Sequence, residues 1–211
     1  ADTHVFFDGH FHSAAATVVL VNTPLDFRVF STHHMRDQAD KLVVTRACPE
    51  SRTVFELNAE PAADVYARSV GVPVEQLDRR VFALQPLGVR VGGNYFVRSI
   101  QRVNPDGSLT FYCAVETGIV MTVMEPGSLL DSVRAQIEAS ERVVGKPLVT
   151  LACDCFLRRL EAELTGQLDD VTGFLRQHKV VGFNTYGEQF NGMHINQTFT
   201  GVVIGQPEFS T

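Results

Sequence analysis

The hydrophobic residues of this chain fall into short runs of β-branched and aromatic side chains separated by turn residues. Such runs are typical of β-strands. In the first part of the chain they cover 5–7, 17–21, 27–31 and 41–45. After residue 76 the pattern returns, at 81–84, 88–91, 95–103, 109–115 and 119–123. Asn104-Pro105-Asp106-Gly107 separates two of these runs and predicts a hairpin, because Pro presets φ and Gly accepts a positive φ.

Three stretches show helical spacing instead. Residues 60–70 have Pro61 in the first turn and end at Gly71. Ser128 can cap a helix that runs to Val144, with apolar residues on one stripe. The later part predicts a strand at 148–152, helices at 153–164 and 171–178, and two antiparallel strands at 180–185 and 197–204.

Together these elements predict an α/β protein of the α+β kind, with a mainly antiparallel β-sheet and helices packed on it. A single sheet is expected to run from about residue 81 to 204, with the helices at 128–144 and 155–164 against it. The helix after residue 60 is the expected subdomain boundary, and residues 206–211 are an expected tail.

Composition and charge narrow the function classes. A net charge of −6 argues against nucleic-acid binding, which needs clustered Lys and Arg. No apolar run approaches the length of a membrane span, and no signal peptide is evident. The four cysteines lack a disulfide-like pattern, which favours a reducing cytoplasm.

Recognisable catalytic motifs are absent from the sequence. It has no G-x-S-x-G, no P-loop, no G-x-G-x-x-G after a strand and no H-E-x-x-H. An enzyme would have to use Cys153 or Cys155 as nucleophile, with a His brought near by the fold. A dimerisation scaffold with an exposed apolar face is a further alternative. We expect a binding module, not an enzyme.

The densest polar cluster spans residues 181–200 and includes Asn184, Tyr186, Glu188 and Asn196. It predicts either a long decorated hairpin or the wall of a ligand pocket, and the pocket is favoured. Asp154, where a strand gives way to a helix, is expected to line a common cavity with Tyr186, Glu188 and Asn196. The flanking cysteines, Cys153 and Cys155, leave open a metal, a reactive thiolate, or a buried structural pair with Asp154 capping the helix.

Histidines give a second set of candidates. His33-His34-Met35 offers side chains that can ligate haem iron, although a solvated turn is the simpler interpretation. His10 and His12 alternate along one strand and are expected to form a surface pair.

Three segments resemble the carboxy-terminal part of FIST-domain proteins. They are NYFVRSIQRVNPDGSLTF at 94–111, CDCFLRRLE at 153–161 and GFNTYGEQFNGMHINQT at 182–198, of which the third is the most specific. The opening meander, with Asp8-Gly9 and Ser31–Met35, resembles the end of the family's amino-terminal half. The resemblance implies that residues 1–60 close the FIST amino-terminal half and that 61–205 form the carboxy-terminal ligand-sensing domain.

The resemblance also implies a function. FIST proteins are bacterial signal-input domains, and the similar subgroup includes haem-based nitric-oxide sensors that regulate a histidine kinase or a cyclic-di-GMP enzyme. For a haem sensor, His33, His34 or His194 would be the iron ligand, since an imidazole carries no charge cost. For an amino-acid sensor without haem, Arg158 would pair a carboxylate and Asp154 or Glu188 an ammonium group. A homodimer is left open.

Overall fold

The computed structural model describes residues 4–206. Its strands are β1 (His4–Phe7), β2 (His10–Ser13), β3 (Phe27–Thr32), β4 (Met35–Cys48), β5 (Thr53–Leu57), β6 (Glu60–Pro61), β7 (Leu87–Val91), β8 (Asn94–Arg98), β9 (Ile100–Val103), β10 (Leu109–Phe111), β11 (Val120–Pro126), β12 (Pro147–Cys155), β13 (Val180–Thr185), β14 (Glu188–Phe190), β15 (Met193–Ile195) and β16 (Phe199–Gly205). Its helices are α1 (Ala62–Val70), α2 (Arg79–Leu84), α3 (Leu129–Val144), α4 (Phe156–Leu164) and α5 (Leu168–Gln177).

Antiparallel strands predominate and helices pack on them, which confirms the predicted fold class. The prediction of a single sheet is wrong. Strands from the middle of the chain form an eight-stranded sheet with the path β8-β7-β11-β4-β5-β10-β9 and β6 beside β5. A separate four-stranded sheet has the order β13-β12-β16-β3. The first sixty residues contribute strands to both sheets and to the β1-β2 hairpin, so they are not one meander.

The larger sheet curls back on itself. Its two end strands, β8 and β9, are joined in sequence by Ser99 alone. Because consecutive Cα atoms are about 3.8 Å apart, the two ends of the sheet must meet at this residue. Ser99 is fully buried there, and the enclosed core includes Leu57, Tyr66 and Phe111.

In the smaller sheet, α4 and α5 connect β12 to β13, and these two strands are parallel. A crossover of this kind returns the chain in the same direction. The predicted antiparallel pairing of 180–185 with 197–204 is therefore wrong, because β12 lies between β13 and β16. One face of this sheet packs under α3 and α5, around Phe30, Phe199 and Val203.

Two further stretches differ from the prediction, and a local signal explains the first of them. Residues 81–84 are helical, not a strand, because the Asp78 carboxylate accepts hydrogen bonds from the backbone N–H groups of Arg80 (2.8 Å) and Val81 (3.1 Å) and starts α2. Residues 17–21 form no strand, and their valine and leucine side chains are 65% to 97% exposed. The predicted cap of α3 is confirmed, since Ser128 Oγ accepts from Asp131 N at 3.1 Å.

The predicted hairpin turn at 104–107 is present between β9 and β10. Beyond Gln206 the predicted tail lies outside the described residues. None of the helices in the described part of the chain is long and apolar enough to cross a membrane.

Candidate functional site

A buried charged network occupies the junction of β12 and α4. The Arg158 side chain is 1% exposed, and its Nε donates a 2.6 Å hydrogen bond to the carboxylate of Asp154, four residues earlier near the end of β12. Its Nη1 donates to His34 Nδ1 at 3.1 Å, and the guanidinium lies 5.7 Å from the centroid of the Phe199 ring. Asp154 therefore binds Arg158 and does not cap α4, whose N-cap is Cys155 without a side-chain hydrogen bond.

His34 extends this network to a second carboxylate. Its Nε2 lies 2.7 Å from both oxygens of buried Glu161. Because Nδ1 accepts from Arg158, the proton of a neutral imidazole must be on Nε2, which donates to Glu161. We call Asp154, Arg158, His34 and Glu161 the Arg158 network.

The position of His34 gives the network its structural importance. His34 lies between β3 of the smaller sheet and β4 of the larger one. Burial raises the pKa of the Asp154 carboxyl, and the adjacent Arg158 opposes this rise without cancelling it. The network thus places charged side chains at the connection between β3 and β4, where the chain passes from the smaller sheet to the larger one.

Asp154 also opens onto a cleft of about 450 Å³ between the sheet and α5, which we call the Asp154 cleft. On the sheet side the cleft is lined by two small residues, Ala152 and Gly182, which are paired across the parallel strands β12 and β13. The remaining lining residues are Thr172, Leu175, Arg176, Lys179, Val180, Asn184 and Phe199. Val181 and Phe183 also border the cleft, but they alternate with Gly182 in β13 and their side chains point to the opposite face of the sheet. One carboxylate, two cations and an amide therefore surround a partly apolar space, which is the composition of a small-ligand site.

Glu188 is buried behind this region. Its carboxylate accepts hydrogen bonds from the hydroxyl groups of Thr185 and Thr198. Burial raises the pKa of Glu188 despite these donors. Burial, reinforced by the charge of Glu188, also raises the pKa of the Cys155 thiol to about 12 and that of Cys153 in the same direction. These thiols are not activated nucleophiles.

Asn196 joins the two sheets. It is fully buried, its Oδ1 accepts from the backbone N–H of Ser99 at 3.4 Å, and its Nδ2 lies 3.4 Å from His194 Nε2. The next residue, Gln197, is also fully buried and donates from Nε2 to the Ala83 carbonyl at 2.8 Å. Sequence reasoning missed Ser99 and Gln197, because neither stands in a recognisable motif.

The predicted site residues are thus only partly brought together. Asp154 and Arg158 are in direct contact, and Asn184 Nδ2 donates to the Asp154 carbonyl at 3.2 Å. Tyr186 is 76% exposed and lines a different cleft, against Phe156. Asp154 and Tyr186 therefore do not share one of these clefts.

Two of the three candidate haem ligands use their ring nitrogens in other contacts. His34 uses both ring nitrogens in the Arg158 network. His194 Nδ1 lies 3.2 Å from the Gln189 amide, and its Nε2 faces Asn196. His33 Nδ1 is buried without a partner in the described residues, and burial lowers the pKa of the ring. None of the three lines the Asp154 cleft or the cleft against Phe156. Residues 4–206 also contain no group of three or more His, Cys, Asp or Glu side chains placed to hold a metal ion.

Two family models match this chain. The model of the FIST C domain matches residues 62–191, and that of the FIST N domain matches residues 1–60. The chain belongs to the FIST family. FIST domains are signal-transduction sensory domains that bind small ligands, and they are not a catalytic family. No curated protein and no solved structure matches this FIST chain.

Proposed function

We propose that this FIST protein senses a small ligand carrying both an ammonium and a carboxylate group, such as an amino acid, and that the ligand binds in the Asp154 cleft. The observation that supports this most is the charge arrangement of the cleft. Asp154 lies in one wall, and Arg176 and Lys179 lie along the facing helix and its end. Opposite charges on opposite sides complement a zwitterion.

Arg158 itself is not the ligand's carboxylate partner in this proposal. Its side chain is 1% exposed and is already paired with Asp154. Instead, a ligand ammonium at Asp154 would compete with Arg158 for the same carboxylate. The ligand would thereby alter the Arg158 network and, through His34, the junction of the two sheets. A differential affinity of about 1–3 kcal/mol for two arrangements suffices for a sensor.

The output surface in this proposal is the uncovered face of the smaller sheet. Alternation along a strand puts Asp154 and Asn184 towards the cleft side and their neighbours Cys153 and Phe183 towards the other side. A cross-strand row on that other face consists of Val29, Val202, Leu151 and Val181. Phe183, beside this row, is 70% exposed. A histidine kinase, a cyclic-di-GMP enzyme or a second copy of the chain would dock on such a patch.

Calorimetric titration with the twenty L-amino acids tests the ligand proposal. At least one should bind saturably, and its N-acetylated form, which lacks the ammonium group, should not. Asp154→Asn should weaken binding more than about tenfold. Asp169→Asn, an exposed position on α5 that does not line the cleft, should have no effect. Equal affinity for the free and acetylated forms would contradict the proposal.

The haem alternative stays a prediction. The contacts of both ring nitrogens in His34 and His194 disfavour these two ligands, which leaves His33, whose buried Nδ1 has no partner among the described residues. The protein purified after expression with a haem precursor should show no Soret band. A band lost in His33→Ala would restore the haem hypothesis.

A further inference from the structure

A second cleft lies on the opposite side of α4 from the Arg158 network. It has a volume of about 390 Å³, and we call it the Tyr186 cleft. At 100° per residue, Arg158 and Glu161 point to one side of α4, whereas Phe156, Leu160 and Glu163 point to the other. The Asp154 cleft lies between the smaller sheet and α5 and has no α4 residue in its lining, so the two clefts are separate.

Aromatic rings form one wall of this cleft. The Phe156 ring lies between Tyr112, at 5.7 Å between centroids, and Tyr186, at 4.9 Å. Tyr112 is half-buried, and burial raises the pKa of its hydroxyl. Tyr186 is 76% exposed although its ring packs on Phe156.

The floor of the cleft is apolar. It is formed by the buried side chains of Phe82, Ile100 and Leu157. A floor of this kind beside edge-on and tilted rings suits a flat apolar group, because an inserted ring gains contacts with both.

One arginine on the rim of the cleft has no salt-bridge partner among the described residues. Arg159 is paired with Glu163 through a 2.9 Å salt bridge. Arg79, on the facing helix α2, is exposed and makes no salt bridge within residues 4–206. Gln101 also lines this cleft. One unpaired guanidinium above an apolar slot complements a carboxylate or sulfonate attached to a ring.

We infer that the Tyr186 cleft is a second ligand site, which takes a planar aromatic molecule bearing one negative charge. Its ring lies on the apolar floor beside Tyr112, Phe156 and Tyr186, and its anionic group pairs with Arg79. This site does not depend on the zwitterion site proposed for the Asp154 cleft.

The probe for this site is 2-naphthoate, and the reporter is the protein's own tyrosine fluorescence. The chain has no Trp and four Tyr, of which Tyr112 and Tyr186 line the cleft. Saturable binding of 2-naphthoate should quench this emission by energy transfer. 2-Naphthalenemethanol, with the same ring and no charge, and cyclohexanecarboxylate, with the charge and no flat ring, should each bind at least about fivefold more weakly.

Matched variants locate the binding, with affinities measured by equilibrium dialysis so that loss of a tyrosine does not alter the readout. Arg79→Gln should weaken 2-naphthoate binding about tenfold, whereas Arg80→Gln, the exposed neighbour outside the cleft, should not. Tyr186→Ala should weaken it about fivefold, and Tyr186→Phe should retain it. Asp154→Asn should leave it unchanged, which separates this site from the Asp154 cleft.

Several results would overturn the inference. They are an absence of saturable binding, equal losses in the Arg79 and Arg80 variants, and equal affinity for the neutral naphthalene. Binding that Tyr186→Ala does not alter would place the probe on another apolar surface and would also refute this site. Circular dichroism of each variant checks that its fold is intact.

Discussion

Replacing Arg158 by Met tests whether the Arg158 network holds the two sheets together. Met keeps most of the length of the side chain but removes the guanidinium. The Asp154 carboxylate, which is 21% exposed, would then lose its cation in a largely buried site. Breaking a buried ion pair by removing one partner costs about 3–5 kcal/mol, because an uncompensated charge is left behind. We expect a loss of stability in this range.

Urea denaturation followed by circular dichroism measures this loss. With an m-value of about 2–3 kcal/mol per M for a chain of this size, the midpoint should fall by about 1–2.5 M. Arg159→Met is the matched control on the next residue of α4. The Arg159 side chain is 54% exposed, and its pair with Glu163 lies at the surface. Exposed pairs contribute about 0–1 kcal/mol, so this variant should remain close to the native protein.

The loss should also depend on pH. Arg158 lowers the pKa of Asp154, so its removal raises that pKa further above the value in the unfolded chain. A carboxyl group with a raised pKa in the folded state favours folding at low pH, and that contribution is lost as the pH rises through the raised pKa. The loss of unfolding free energy in Arg158→Met should therefore be larger at pH 7 than at pH 5, and adding Asp154→Asn should restore part of that free energy. Equal destabilisation by Arg158→Met and Arg159→Met would refute this reasoning.

Three further predictions concern Cys155, Glu188 and Gly201. With a pKa of about 12, only about one part in ten thousand of the Cys155 thiol is thiolate at pH 8. Iodoacetamide should therefore label Cys48 in the folded protein and Cys155 only after unfolding, which peptide mass spectrometry would show. Burial raises the pKa of Glu188, so native stability should decline as the pH rises from about 4.5 through that pKa, and urea midpoints of Glu188→Gln should lack this decline. In Gly201→Ala the new methyl group would overlap the backbone of the adjoining strand, so the melting temperature of this variant should drop by several degrees. In Gly173→Ala, on α5, the methyl group meets open space, so this variant should be neutral or slightly stabilising. Equal shifts in melting temperature would contradict this packing.

Local sequence determined much of this protein's architecture. Helix α3 could be predicted from its own residues, because the Ser128 cap and the 3.6-residue period of its apolar stripe act within a few residues. The turn at Asn104–Gly107 is equally local. The motif segments at 94–111 and 182–198 were also sufficient to identify the family, which the match to the FIST C domain confirms.

Strand partners and the shared site were decided by the tertiary structure. A strand pattern specifies alternation but not a neighbour, so β13 and β16 looked like a hairpin although β12 separates them. His34 is 127 residues from Glu161, and only the packing of α4 beneath the β3–β4 connection brings their side chains together. Ser99 looked like an interior strand residue, yet it is the point where the curled sheet meets itself. Contacts between residues so far apart in sequence form only when the core packs as a whole, so no local sequence pattern predicts them.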